Sequence, residues 1–400
     1  MNTELPMSQR RHKSNPSPSV ILPDDLVVEI LCFLKVKPLM KMKCVCKSWN
    51  ILISDPKFVK MHLNQSSRNS HSYVVSSKDS KQDDDYSFIP FNVNDLLENS
   101  SITFPDDPYY RLIDKDCHQV VGSCNGLVCL LGYSLAEYGH KETCFRLWNP
   151  ATRTISDKLG YFPEDMNRLK FWKFIFGYDN LTDAYKVVAL HPGNSLTTVV
   201  QVFSFGNNVW RNIQSFTARP FQLVFSTNKE FIGVQLNCTV NWLAVGVASM
   251  FVIISLDLGT ETHAQLLVPS GTEEMSSVFP GVCVLMDSLC YYHDIEGTDF
   301  VIWKMTKFGD EKSWTQFLRF SYQILQMNLK CTPYFNLYEN GDTLVFTQDL
   351  QDQVILYNWR NSTVVKTRVN KKICWFNPKK KKKICWFSIN NYVESLIPTC

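Results

Sequence analysis

Short alternating apolar segments return at intervals of roughly fifty residues over most of this chain, and that recurrence limits the fold more than any other feature. GLVCL precedes FRLWNPATRTI, KVVAL precedes VVQVFSFGNNVWRNI, and NCTVNWLAV precedes FVIISLDLGTETHAQLLV. Two more pairs follow, LMDSLCYY with FVIWKMTKFGDEKSWTQFLRF and ENGDTLVFTQ with QVILYNWRNSTVVKTRV. Leu147, Phe203, Leu256, Trp303 and Tyr357 hold equivalent places in the five units. Asn149-Pro150, Gly206-Asn207-Asn208 and Gly309-Asp310 supply turn chemistry inside the hairpins. A lone pair of hairpins cannot bury both its faces. Radial packing around an axis covers the faces and protects the strand edges. The expectation is an all-β, propeller-like domain over residues 120–397, with five repeats visible and terminal strands as candidates for a sixth. A stacked sandwich is the alternative arrangement.

Composition agrees with such a body. Of 400 residues, 45% are hydrophobic and 13% aromatic, enough to fill a large sheet-built core. A single core rarely serves that length unless a closed β architecture absorbs it. The net charge of +3 argues for neither nucleic acid nor a membrane surface as partner. The uncharged run from Phe231 to Leu256 contains Gln235, Asn237, Thr239, Asn241 and Gly246, and is expected to form two strands and a turn rather than a membrane span. The N-terminal stretch, residues 1–19, lacks the apolar core of a signal peptide and is expected to be disordered. The fourteen cysteines are then expected in a reducing compartment, cytoplasmic and/or nuclear, as small buried hydrophobes without disulfides.

Residues 20–63 read differently. Pro23 suits a first helical turn, and Asp24 and Asp25 place negative charge at the positive end of the helix dipole. Leu26, Ile30 and Leu34, flanked by Val27 and Leu31, make one apolar face. A second face starts at Pro38 and runs through Leu39, Met42, Val45, Cys46, Trp49, Leu52 and Ile53, and Asp55-Pro56 closes it. Helices this short bury too little to stand alone, so they share their apolar surface with a partner helix or with the chain's own C-terminal body. Residues 64–119 are Ser-rich and polar at the start, and are expected to be a linker and irregular segment holding at most one edge strand.

The run LPDDLVVEIL, followed by VKPLMKMKCVCKSWNILISDPKFVKMHL, resembles the F-box of plant F-box proteins. GSCNGLVCL, FRLWNPATR, FGYDNLTDAYKVV, VNWLAV, SWTQFLRF and the terminal NYVESLIP resemble the F-box-associated region of the same proteins, a group with S-locus and immune-regulatory members. The fold implied is α+β multidomain, a short F-box helical bundle followed by an all-β propeller-like domain. Carried over by position, Leu22, Pro23, Leu26, Ile30, Leu31, Val45, Cys46 and Trp49 fall on the family's signature places for binding a Skp-type adaptor, some adaptor-facing and some internal. This chain departs from the family at Leu34-Lys35, where Leu-Pro is common, and at Lys41-Met42, where Arg-Phe is usual. Both keep size and charge class, so tuned rather than lost affinity is expected. Asn237-Cys238 and Asn241-Trp242 replace the family's Asn-Gly and His-Trp.

The resemblance implies a substrate-recognition subunit of an SCF-type ubiquitin ligase, linked through the adaptor to cullin and RING subunits and holding an unidentified substrate protein. A stand-alone propeller module for protein or glycan is the alternative. Nothing in the sequence marks an enzyme. The eight histidines show no metal-ligand spacing, Cys44 and Cys46 form Cys-x-Cys, and there is no nucleophile elbow or phosphate loop. No catalytic residue, cofactor or metal is expected. The acidic cluster Asp83, Asp84, Asp85 lacks the alternation of a calcium loop. Lys379–Lys383 lies between two copies of KKICWF and reads as a duplicated loop, with a nuclear import signal or phosphate patch as the alternative.

Overall fold

The computed structural model describes residues 23–67, 72–78, 86–92, 112–114, 116–135, 141–162, 171–193, 197–221, 233–272, 280–325, 335–348, 353–368 and 389–399. The stretch 1–19, Leu22, the aspartates 83–85 and the run Lys379–Lys383 lie outside them.

Four helices come first among the described residues: α1 (Asp24–Cys32), α2 (Val36–Met42), α3 (Lys47–Ser54) and α4 (Pro56–Ser67). Pro23 stands just ahead of α1, its carbonyl accepting the amides of Leu26 and Val27. The face expected to run unbroken from Pro38 to Ile53 is split between α2 and α3. Cys46 is extended at φ −156°, which a continuous helix cannot contain. Asp55 separates α3 from α4 and caps the latter, Oδ1 accepting from the amides of Lys57 and Phe58.

Twenty-six strands form six antiparallel sheets among the described residues. The first contains β1 (Ser72–Lys78), β2 (Tyr86–Asn92) and β3 (Leu112–Asp114), and is completed by the last strand of the chain. The second contains β4 (Cys117–Cys124), β5 (Leu127–Leu135), β6 (Lys141–Asn149), β7 (Thr154–Ile155) and β8 (Leu159–Phe162). The third is β9 (Lys173–Asp179), β10 (Ala184–Pro192), β11 (Thr198–Ser204) and β12 (Val209–Phe216). In the fourth, β13 (Arg219–Pro220) and β14 (Gly233–Leu236) both pair with β15 (Thr239–Val245), followed by β16 (Phe251–Asp257) and β17 (His263–Leu267). The fifth is β18 (Gly281–Leu285), β19 (Ser288–Ile295), β20 (Asp299–Met305) and β21 (Trp314–Ser321). The sixth is β22 (Phe335–Asn340), β23 (Thr343–Gln348), β24 (Gln353–Asn358) and β25 (Thr363–Arg368), after which β26 (Ile389–Tyr392) returns to pair with β1.

Two expectations are corrected here. The segment 64–119, expected as a linker, carries the end of α4 and three strands of the first sheet. The sheet has no local sequence signature, because one neighbour of β1, β26, comes from the far end of the chain. The run 231–256 holds three strands rather than two, with Gly246 ahead of a short 3-10 turn between β15 and β16.

The five equivalent residues Leu147, Phe203, Leu256, Trp303 and Tyr357 all fall on the third strands of successive sheets, β6, β11, β16, β20 and β24. The first strands β4, β9, β14 and β18 each lie beside the first strand of the next sheet, and β26 lies beside β4. The cores lie between neighbouring sheets. Leu147, Phe145 and Phe203 join the second to the third, and Val188, Trp242 and Ile254 the third to the fourth. Leu243, Ile253 and Tyr291 join the fourth to the fifth, and Tyr292, Phe300, Phe346 and Tyr357 the fifth to the sixth. Successive residues of a strand, such as Trp242 and Leu243, thus serve different cores, which is how radially packed sheets cover both faces.

Candidate functional site

The α1 sequence puts apolar residues on two sides of one short helix. Leu31 and Cys32 are buried, with Leu31 only 3% exposed, and pack with Val36, Leu39, Ile53 and Phe58. The same cluster includes Ala151, from the turn between β6 and β7, and Leu396, from the C-terminal segment. The helices therefore do rest on the chain's own β body.

The other side of α1 is left open. Leu26, Ile30 and Phe33 are 47%, 55% and 72% exposed, at a spacing that places them on one helical face. Val45, between α2 and α3, is 68% exposed and Ile51, on α3, is 73% exposed. Exposure of so many large apolar side chains on one small module marks an interaction surface rather than scattered surface residues. Of the positions carried over from the sequence, Pro23, Leu26, Ile30, Val45 and Cys46 are exposed, Trp49 is half-buried against the helical core, and Leu31 is internal. Leu22 lies outside the described residues. Phe33, one helical turn past Ile30, and Ile51, two residues past Trp49, were missed by sequence reasoning.

The two departures from the family pattern are accommodated. Lys35 is exposed and starts α2 in an extended conformation, while the Leu34 carbonyl accepts from His62 Nε2 at 2.8 Å. Lys41 stays exposed and Met42 packs against the helical core. His62 is fully buried, and burial lowers its pKa against the opposing pull of the Leu34 carbonyl and Glu394. With Nε2 donating, Nδ1 faces the Ser66 hydroxyl at 3.4 Å as the acceptor of a neutral ring. The exposed Cys46 thiol is pulled below its usual pKa by the Ser48 hydroxyl, 3.1 Å away, and by the Trp49 amide.

Hairpin geometry gives the β body two different faces. In each four-stranded meander the first and third turns lie on one face and the second turn on the other. The helices touch the first of these faces. Lys60 of α4 pairs at 3.0 Å with Asp183 in the β9–β10 turn, and Ala151 belongs to the β6–β7 turn. The fourth strands of the meanders, such as β12 and β21, end at the opposite face.

Among the described residues no group of His, Cys, Asp or Glu side chains could hold a metal ion, and no helix is long and apolar enough to cross a membrane. His191 and Pro192 end β10, and Gly193 donates its amide to the Thr197 carbonyl at 2.9 Å, as turn residues do.

Residues 20–61 match the model of the F-box domain, and residues 82–399 match that of the F-box associated beta propeller domain. An F-box/kelch-repeat protein of Arabidopsis thaliana is 28% identical over 309 residues, covering 74% of this chain and 79% of the relative. An F-box protein of the same plant is 29% identical over 323 residues, covering 76% of this chain and 93% of its own length. A third Arabidopsis F-box protein is 28% identical over 329 residues, covering 76% and 70%.

Proposed function

Because this chain belongs to the plant F-box proteins that carry an F-box-associated beta propeller domain, we propose that it is the substrate receptor of an SCF-type ubiquitin ligase. In this reading it docks on a Skp-type adaptor through its helices and presents a target protein on its propeller. The observation that carries the proposal is the open apolar face of α1, Leu26, Ile30 and Phe33, joined by Val45 and Ile51, on helices whose other side is already covered by the propeller. A helix face with that spacing fits a partner groove.

The role is positional. The adaptor links the chain to cullin and RING subunits, and a target held on the propeller meets the conjugating enzyme at high effective concentration without a catalytic group here. The turn face is occupied by the helices, so the opposite face, at which the fourth strands of the meanders end, is the one available to a target.

Binding of the full chain to a plant Skp-type adaptor, measured by calorimetry, tests the proposal. Tight binding is expected for the wild type, with a loss of at least about a hundredfold in the Leu26→Asp, Ile30→Asp double variant at an unchanged propeller melting temperature. A folded wild-type chain that does not bind would overturn the reading.

A further inference from the structure

Two turns, Asn125-Gly126 and Asn149-Pro150, do more than reverse the chain. Both seat the C-terminal segment, residues 393–399. Gly126 has φ +82°, and a Cβ added there would collide with Ser395 Oγ and lie 2.6 Å from the Val393 carbonyl oxygen. Only glycine lets the segment cross the β4–β5 turn this closely. The buried Asn149 ties the same segment to its own turn. Its Nδ2 donates to the Ser395 and Ile397 carbonyls at 3.0 and 2.8 Å, and its Oδ1 accepts from the Ala151 and Thr152 amides at 3.0 and 3.3 Å.

The upper side of the segment meets the helices. Leu396 is 6% exposed and packs in the helical core beside Leu31, Leu39 and Ile53. Glu394 Oε2 accepts from the Val36 amide at 3.3 Å, at the start of a helix whose preceding residue, Lys35, offers no side-chain cap. The segment is fixed at its near end as well, since Tyr392 closes β26 in the first sheet and is buried. A covalent connection between α4 and β1 limits distance but not angle. A segment bound to the propeller on one side and to the helices on the other limits both.

We propose that residues 393–399 form a positioning strap that locks the F-box helices onto the turn face of the propeller, so that the two halves move as one body. The proposal rests on the receptor reading for its purpose. The ligase holds the helices and the propeller holds the target, so the angle between them decides which target lysines reach the conjugating enzyme. Asn149, Glu394 and Leu396 are positioning residues in that sense, and none of them belongs to the open face of α1.

Electron–electron distance measurement on the full chain tests this, with nitroxides carried on keto amino acids at the exposed positions Lys57, on α4, and Lys307, in the turn between β20 and β21. One narrow distance distribution is expected for the wild type. The Asn149→Ala and Leu396→Asp variants should each widen it about twofold or more while the propeller melts as before. If Asn149→Ala lowers propeller melting, Leu396→Asp decides, because that side chain meets the helical core rather than a core between sheets. A broad wild-type distribution, or a narrow one retained in the deciding variant, overturns the strap. Adaptor affinity measured on the same samples keeps the two readings separable: a wild type that fails to bind removes the receptor role, while the distances still report the strap.

Discussion

Lys186 shows how a single residue can tie two sheets together. Its side chain is 3% exposed, and its ammonium donates to the Leu258 carbonyl while lying 3.0 Å from Asp179 and 3.2 Å from Glu261. Lys186 and Asp179 belong to the third sheet, Leu258 and Glu261 to the turn closing the fourth, and Arg211 of β12 also pairs with Glu261. Burial pushes the Asp179 and Glu261 carboxyls up, but hydrogen bonds and the cations reverse this, from Thr182 and Lys186 at Asp179 and from Arg211 and Lys186 at Glu261, and leave both below their ordinary values. Carboxylates lowered in the folded state add stability that is present above their unfolded pKa, near 4, and lost as pH falls through the folded values. Asp179→Ala leaves Lys186 buried with a weaker set of partners, and should cost roughly 3 kcal/mol at neutral pH. The variant's stability should also fall less steeply than the wild type's below about pH 4. Urea melts at pH 7 and pH 3.5 check both effects, and parallel losses in the two proteins would contradict the assignment. The stretch FGYDNLTDAYKVV was legible as a family motif, yet its charged residues carried no visible role. Glu261, the partner of Lys186, lies 75 residues further along the chain.

At the scale of elements, the β4–β5 turn is the sharpest case. Asn125 and Gly126 both take positive φ, 51° and 82°, the pattern of a tight two-residue hairpin, which Asn-Gly favours. The conformation and the overlying tail make separate demands on Gly126. Gly126→Ala is expected to cost about 2 kcal/mol or more, through backbone strain and the collision with Ser395. Thermal unfolding of the purified chain measures it, and an unshifted midpoint would mean that the tail does not cross this turn. Asn125-Gly126 was legible only as part of a family motif and not as a turn, whereas the third strands were readable, because Leu147, Phe203 and Leu256 sit in strands buried on both sides whose apolar runs survive any choice of neighbour. The first sheet was not readable. SYVVSSK and YSFIPFN are short and mixed, and β26, the partner of β1, follows it after more than three hundred residues of intervening chain. In α1, periodicity identified the apolar residues Ile30 and Leu31 alike. Which of them faces solvent and which meets Ala151 and Leu396 depends on segments far away in sequence, and no local pattern records that.

For the molecule as a whole, charge is distributed in a way that bears on association. Between Pro23 and Ser67 there are seven lysines and four carboxylates, an excess of cations as large as the net +3 of the entire chain. Lys35, Lys41 and Lys47 are exposed, in the same stretch of chain as Phe33, Val45 and Ile51. An apolar surface with cations around it divides the work of binding. The charges act at a distance and raise the encounter rate with an acidic partner, whereas the apolar side chains, once desolvated, set how slowly the complex comes apart. Screening acts on the first and hardly on the second, since the Debye length shrinks from about 10 Å at 0.1 M salt to about 3 Å at 1 M. The association rate with a Skp-type adaptor should therefore fall about tenfold between low and high salt while the dissociation rate changes little. Lys41→Glu with Lys47→Glu should remove most of that salt dependence, and Ile30→Ala should instead speed dissociation. Stopped-flow association and surface plasmon resonance separate the two rates. If salt leaves the association rate unchanged, the lysines are solvated bystanders, and the apolar face alone must account for recognition.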